Sequence, residues 1–162
     1  MLQAYTSTPS GVALTANTPI NLVTNKIVKG CTVSHTEGSN SIYLKKCGTY
    51  KVDFNGIFVS SGEATPITVQ MYNGTAPIVD AKATANSASN TDYVNLSFST
   101  FVDVPPSCRA VNNIGVISFV NVNADVMLLA NVTVLKVRWL TWWRMFMVLG
   151  ANIGQVTKQS LC

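Results

Sequence analysis

Apolar and polar residues alternate with a period of two in several short segments of the chain. Alternation of this kind predicts half-buried β-strands, because successive side chains of a strand point to opposite faces of its sheet. The longest such segment ends where Pro105-Pro106 follows, and proline cannot continue a β-ladder. No helical periodicity occurs before residue 138. The alternating segments are residues 42–44, 50–54, 67–71 and 94–104.

Turn residues separate the predicted strands. Asn73-Gly74 follows residues 67–71 and is the type of pair that supplies two positive φ angles to a two-residue hairpin turn. The stretch 83–92 is polar, contains small residues and has no period, which predicts a surface loop. Residues 115–122 and 126–137 are predicted as the last two strands. The final strand is apolar on both faces as far as Leu129, which predicts burial on both sides.

These segments give about eight strands spaced roughly ten residues apart, a pattern typical of a β-sandwich, jelly roll or barrel. The composition agrees, because 21 Val and 17 Thr favour strands, while only 11% of the residues are charged against the usual 25% or so. A chain of 162 residues forms a core without help from disulfides or metals. We predict an N-terminal arm at 1–19, a β-domain at 20–137 and a hydrophobic tail at 138–162.

Two segments carry a family resemblance. GTYKVDFNGIF, at residues 48–58, and ITVQMYNG, at residues 67–74, are followed by a long strand, a proline-containing turn and a final hydrophobic strand. This order resembles the jelly roll shared by tumour necrosis factor and the complement globular heads, in which core aromatics occupy a strand matched here by Gly48, Tyr50 and Phe54. The resemblance covers about residues 12–137. It implies an all-β jelly-roll β-sandwich of about eight antiparallel strands, here with a hydrophobic C-terminal extension.

The resemblance also implies a homotrimer. The chain looks most like the bacteriophage version of this fold, since it lacks a signal peptide pattern and is rich in Asn, Thr, Ser and Val. We therefore expect a non-enzymatic virion protein, either a trimeric capsid decoration protein or a head fibre. The alternative is a receptor- or carbohydrate-binding tip of a tail fibre. The protein would be made in the host cytoplasm and lie on the capsid surface, with a major capsid or other virion protein as its partner.

Two groups of residues are predicted to make these contacts. The doubly apolar last strand is expected near the three-fold axis, because closed symmetry hides such a surface. The tail from residue 138 has aromatic residues at helical spacing and holds all three tryptophans. The predicted trimer interface consists of Val126, Leu128, Val132 and Val134. The predicted partner-docking residues are Arg138, Trp139, Trp142, Trp143, Arg144 and Phe146.

Three interpretations of the tail remain open. It packs on its own sandwich, it docks on a partner subunit, where Trp and Arg are enriched, or it lies in a membrane interface. Its apolar run of about fifteen residues is shorter than the ~20 that span a bilayer. Membrane contact is therefore the least favoured of the three.

Little in the sequence suggests catalysis or a bound cofactor. The one histidine, His35, lies in a polar turn context and is interpreted as an exposed loop residue. The carboxylates are scattered singly, and neither a Gly-x-Ser-x-Gly motif nor a phosphate-binding loop occurs. We expect no enzyme activity, no cofactor and no metal.

Cysteine spacing and charge exclude two further classes of protein. No two cysteines are close enough for a zinc ribbon or a thioredoxin-type motif. A pair between Cys31 and Cys47 across adjacent strands is conceivable, but free thiols are expected in a reduced cytosol. The net charge of +4 is spread along the chain rather than concentrated in a basic stripe, so no nucleic-acid partner is expected.

Overall fold

A computed structural model describes residues 1–6, 12–62, 64–106, 115–123 and 125–137. This part of the chain contains twelve β-strands and no helix. The first five strands have only two to five residues each, too short for alternation to be visible in the sequence, so the count exceeds the predicted eight. The strands are β1 (Leu2–Thr6), β2 (Val12–Leu14), β3 (Thr18–Pro19), β4 (Thr24–Val28), β5 (Val33–His35), β6 (Ile42–Leu44), β7 (Gly48–Ser60), β8 (Thr65–Asn73), β9 (Ala76–Ser87), β10 (Val94–Val104), β11 (Gly115–Asn121) and β12 (Val126–Lys136).

The strands form two six-stranded antiparallel sheets. In the first sheet the order is β10-β7-β12-β1-β4, and β2 also pairs with β12. In the second sheet the order is β5-β6-β11-β8-β9, and β3 also pairs with β11. Neighbouring strands are mostly distant in sequence, and the chain passes repeatedly between the sheets. This architecture confirms the predicted all-β jelly-roll sandwich.

The core lies between the two sheets and is centred on aromatic rings. The ring centroid of Phe54, on β7, lies 5.2 Å from that of Phe98 on β10 and 5.0 Å from that of Phe119 on β11. The Phe119 contact crosses from the first sheet to the second. Phe54 is fully buried, as expected of a core aromatic, and Phe98 is half-buried against the same cluster.

Tyr50 closes one end of this core. Its hydroxyl donates to the carbonyl of Lys46 at 2.6 Å and accepts from the Lys46 amide at 3.3 Å. Burial raises the pKa of Tyr50 above its ordinary value. The ammonium of Lys136 lies 5.8 Å from the centroid of the Tyr50 ring and donates to the Cys47 carbonyl, so the end of β12 is held beside the start of β7.

The expected N-terminal arm over residues 1–19 is wrong for the described part of that stretch. β1 lies inside the first sheet, paired with β12 on one side and β4 on the other. Leu2 lies opposite Val134 and is fully buried. Backbone pairing on both edges holds this strand in the sheet, and an apolar pattern does not report such pairing.

Two local predictions also need correction. The stretch 83–92 is only partly a loop, because β9 continues to Ser87 and places Ala83 and Ala85 against the core. Alanine gives a weak hydrophobic signal, which hides this part of the strand. The β8–β9 hairpin is confirmed, but Asn73 pairs with Ala76, so its loop is Gly74-Thr75. Gly74 has a φ of +60° at the first loop position.

Candidate functional site

The outer face of the first sheet carries the largest group of exposed apolar side chains in the described residues. On the long strands β7, β10 and β12, alternate residues point away from the core toward this face. Phe101 is 62% exposed, Leu135 46%, and Ile57 and Leu129 44% each. Single exposed apolar residues are ordinary, but several on one sheet face indicate a contact surface. We call it the exposed sheet face and define it by these four residues and those between them.

Strand register arranges the exposed sheet face in rows across the strands. In one apolar row, Lys51 lies between Phe101 and Leu135, which are its partners on β10 and β12. In the other apolar row, Ile57 lies opposite Leu129. The two rows lie near opposite ends of the paired part of the strands. Hydrophobic contact area is therefore available at two separate positions along the strand direction.

A polar belt separates the two apolar rows. One of its rows is Ser99, Asp53 and Thr133, and the next is Ser97, Asn55 and Asn131. The Asp53 carboxylate accepts from the Ser99 hydroxyl at 2.7 Å and forms an ion pair with Lys51 at 2.9 Å. The Ser99 hydrogen bond, and to a smaller extent Lys51, holds the pKa of Asp53 below its ordinary value against the opposing effect of burial. The belt therefore carries a carboxylate charge at neutral pH.

A shallow cavity of about 360 Å³ opens on the same face. Its lining includes the apolar pair Ile57 and Leu129, the polar residues Asn55 and Asn131, and Lys26 from edge strand β4. The cavity thus extends the exposed sheet face from β7 and β12 toward β4. Its mixed lining suits a protein surface with both apolar and hydrogen-bonding groups.

Three of the four predicted trimer-interface residues point the other way, into the core. Val126, Val132 and Val134 are buried in the core of a single chain, so they have no surface to offer a second copy. For Leu128 the structure describes only the backbone. The exposed side of the apolar strand β12 is that of Leu129 and Leu135. A signal was present in the sequence, since the alternate positions from Val126 to Val134 are all apolar while the positions between them include Asn131 and Thr133.

The predicted docking residues in the tail lie outside the described residues. They are Arg138, Trp139, Trp142, Trp143, Arg144 and Phe146, and they remain a prediction.

The described residues hold no assembled metal site. They contain no cluster of three or more His, Cys, Asp or Glu side chains that could hold a metal ion. In the same ranges there is no helix long and apolar enough to cross a membrane. Cys31 is exposed and Cys47 half-buried, and both are free thiols, whereas Cys108 and Cys162 lie outside those ranges.

The interpretation of His35 as an exposed loop residue is wrong. It lies on β5 and is 8% exposed. Its ring nitrogens lie within hydrogen-bonding distance of the Asn25 side chain and the Ser39 carbonyl. The polar residues next to His35 in the sequence indicated a solvated loop. The ring is buried instead, and its polar atoms are paired with Asn25 and Ser39.

Comparison with known proteins identifies the fold. No protein-family model matches the chain, and no curated protein has a significant match. Among solved structures, the PRD1 vertex protein P5 aligns with a TM-score of 0.53 and 16% identity, covering 85% of this chain and 96% of that one. The globular domain of zebrafish complement 1qA aligns with a TM-score of 0.57 and 8% identity, covering 85% and 96%. The Eiger TNF of S. frugiperda aligns with a TM-score of 0.57 and 10% identity, covering 86% and 95%.

The chain has the TNF/C1q-like jelly-roll fold. The alignments cover most of it, so the resemblance noted at residues 48–58 and 67–74 is confirmed at the level of the whole sandwich. At identities of 8 to 16%, the likeness concerns the fold alone. The function of this jelly roll has to be argued from its own surface.

Proposed function

We propose that this jelly roll is a non-enzymatic structural protein of a bacteriophage virion, a homotrimer that serves as a capsid decoration protein or head fibre. The observation that carries the proposal is the exposed sheet face, four large apolar side chains on one side of a sandwich whose core is already complete. A surface of this kind favours association with other protein chains. The likeness to a vertex protein, PRD1 P5, supports a place on a virion surface.

The layout of the exposed sheet face suits contact between copies of the same chain. When copies are related by rotation about an axis parallel to the strands, equivalent residues lie at the same level along that axis. The apolar rows of one copy therefore meet the apolar rows of the next copy, and the polar belts meet between them. Closed rotational symmetry is the usual arrangement of soluble homo-oligomers, and the fold resemblance favours three copies.

Light scattering and sedimentation of the full chain test the trimer directly. We expect complexes of three chains at micromolar concentration, because the apolar rows lose contact with water only in the assembly. A stable monomer under these conditions would contradict the proposal. A dimer would contradict the three-fold arrangement, and only the self-association part of the proposal would stand.

The location on the virion requires a separate experiment. Antibody labelling of purified phage particles should place the protein on the capsid surface, and its absence from particles would refute a structural role there. Labelling confined to the tip of a tail fibre would support the adhesin alternative.

The tail can be tested in the same assay. If residues 138–162 dock on a capsid protein, deletion of residues 139–162 should leave a folded trimer that no longer attaches to particles, because each buried aromatic contributes ~150–250 Å² to such a contact. Unfolding of the deletion variant would show that the tail packs on its own sandwich. Unaltered attachment would refute docking. Binding of the full chain, but not of the deletion variant, to anionic lipid vesicles would favour the membrane interface.

A further inference from the structure

A β-bulge places Lys26 at one border of the exposed sheet face. Ala4 of β1 pairs with Asn25, but Gln3 pairs with Ile27, so the register between β1 and β4 shifts and Lys26 is the extra residue of β4. Bulges at the edge of a sheet re-aim side chains. Lys26 is exposed and lines the cavity described above. The bulge therefore supplies this face with a cation on its β4 side.

The carboxylates near this face lie on its other side. Asp53 is on β7 and Asp103 is on the outer strand β10, and both occupy positions that face away from the core. Lys51 is the cation beside them, and it pairs with Asp53. Residues 127–135 of β12, which lies between β7 and β4, include no charged residue. The β7–β10 side is therefore net negative, and the β4 side is positive.

Lys26 and Asp53 lie at nearly the same level along the strands. One row of paired residues crosses four strands and consists of Asp53, Thr133, Gln3 and Ile27. Ile27 follows Lys26 directly, so the level of Lys26 differs from that of Asp53 by one residue at most, about 3 Å. Asp103 is four residues farther along β10 than Ser99, the partner of Asp53, which is about 13 Å along the strands.

The two charges are not paired within one copy. β12 and β1 lie between β7 and β4, so three strand spacings, roughly 14 Å, separate the two strands. The described residues contain one ion pair, between Lys51 and Asp53. Lys26 therefore enters a contact on this face without a carboxylate of its own. An ammonium that loses water without gaining a partner destabilises the contact.

A closed three-fold ring brings the two sides of the face together. Its contacts are heterologous, so with an axis parallel to the strands the β4 side of one copy meets the β7–β10 side of the next. Rotation keeps the level of each residue, which brings Lys26 to the level of Asp53 and not to that of Asp103. We propose that Lys26 of each copy forms an ion pair with Asp53 of the neighbouring copy. This inference rests on the proposed homotrimer.

Asp53 has room for this second cation. Its carboxylate binds the Ser99 hydroxyl and the Lys51 ammonium, and its side chain is still 40% exposed. A carboxylate has about four lone-pair positions, so it accepts a further donor from the neighbouring copy. Apolar contact is non-directional, whereas a charge pair at one level fixes how two copies align along the axis. The ion pair would therefore select one arrangement of the copies.

A double-mutant cycle in the full chain tests the ion pair. Sedimentation gives the protein concentration at which half of the chains are assembled, for the wild type, Lys26→Ala, Asp53→Asn and the double variant. We expect each single substitution to raise this concentration on the order of tenfold, because each removes the pair. The double variant should show much less than the roughly hundredfold rise that independent effects would give.

Asp103→Asn is the matched control, because it removes a carboxylate near the same face but at another level. Its effect should multiply with that of Lys26→Ala, as expected of independent residues. Multiplying effects of Lys26→Ala and Asp53→Asn would overturn the ion pair, and so would equal coupling of Lys26 to Asp103. Urea unfolding of each variant verifies that the chains compared are folded.

Charge reversal gives a second outcome. Lys26→Glu and Asp53→Lys should each prevent assembly at micromolar concentration, because like charges then meet across the contact. The combined variant restores opposite charges, so it should assemble at lower concentration than either single variant, and no recovery would overturn the pair. A monomeric wild type contradicts the homotrimer itself, whereas an assembled wild type without coupling contradicts only the ion pair.

Discussion

Ile57 on β7 and Leu129 on β12 lie directly opposite each other and are equally exposed, 44% in each case. They are paired across two central strands of the first sheet, not at an edge or in a loop. Directly opposed side chains on neighbouring strands are in contact range, so the pair forms one continuous apolar patch. The backbone beneath it is held by strand pairing on both sides of β7 and β12.

Replacing this pair should weaken assembly without unfolding the chain. In Ile57→Thr/Leu129→Thr the β-branched side chains keep the strand conformation, but apolar area is lost from the proposed contact. We expect the protein concentration needed for trimer formation to rise on the order of tenfold or more, measured by sedimentation. Val79→Thr, at an exposed residue on β9 in the other sheet, is the control. Equal behaviour of the two variants would show that copies do not meet at the exposed sheet face.

The two stacked phenylalanines of the core should differ in their contribution to stability. Phe54 is fully buried and packs on rings from both sheets, so Phe54→Ala should cost about 3 to 5 kcal/mol of unfolding free energy. Phe98 is only half-buried, so Phe98→Ala should cost less. Urea unfolding of both variants measures the difference. A cost below about 1 kcal/mol for Phe54→Ala is incompatible with this packing.

Gly56 should not tolerate a side chain. A Cβ atom at this position would lie 2.6 Å from Cε2 of Phe58, whose ring is itself fully buried. Because the ring has no free space to move into, Gly56→Ala should cost about 1 to 3 kcal/mol in urea unfolding. Gly62→Ala is the matched control, since nothing lies within 4 Å of the added atom. Similar stabilities of the two variants would contradict the described packing of Phe58.

The free energy of unfolding at acidic pH should depend on Ser99. The Ser99 hydrogen bond is the largest cause of the lowered pKa of Asp53. A lowered folded-state pKa adds stability that is present above the unfolded pKa of about 3.9 and is lost as pH falls through the folded-state value. Because Asp53 is well exposed, solvent screening keeps this contribution small.

Ser99→Ala should therefore raise the pKa of Asp53 toward its ordinary value, as followed by carboxylate resonances. Ser97→Ala removes the hydroxyl one row away, opposite Asn55, and should leave the Asp53 titration unchanged. An unchanged Asp53 titration in Ser99→Ala would mean that the hydrogen bond does not control this carboxylate.

The sequence alone determined the strands with clear alternation and the fold class they build. Residues 50–54, 67–71 and 94–104 alternate because each of these strands has one side in the core, and the core is what the pattern reports. Tyr50 and Phe54 were expected in the core from the family resemblance, and the structure adds Phe58 and Phe119. The exposed sheet face lies on β7, β10 and β12, and the polar residues Asp53, Asn131 and Thr133 mark the side of β7 and β12 that faces away from the core.

The tertiary structure decided what covers each face and each polar group. On β12 both sides contain apolar residues, and the packing of the second sheet decides that Val132 and Val134 are inside and Leu135 is outside. β1 is held by backbone pairing with strands about twenty and more than one hundred residues away, which leaves no local signature. The buried His35 ring has as its hydrogen-bonding partners Asn25, ten residues earlier, and Ser39, four residues later, and hydrophobic alternation does not report such polar contacts. For β1 and β12 the deciding contact is long-range, and a local pattern reports faces but not their partners.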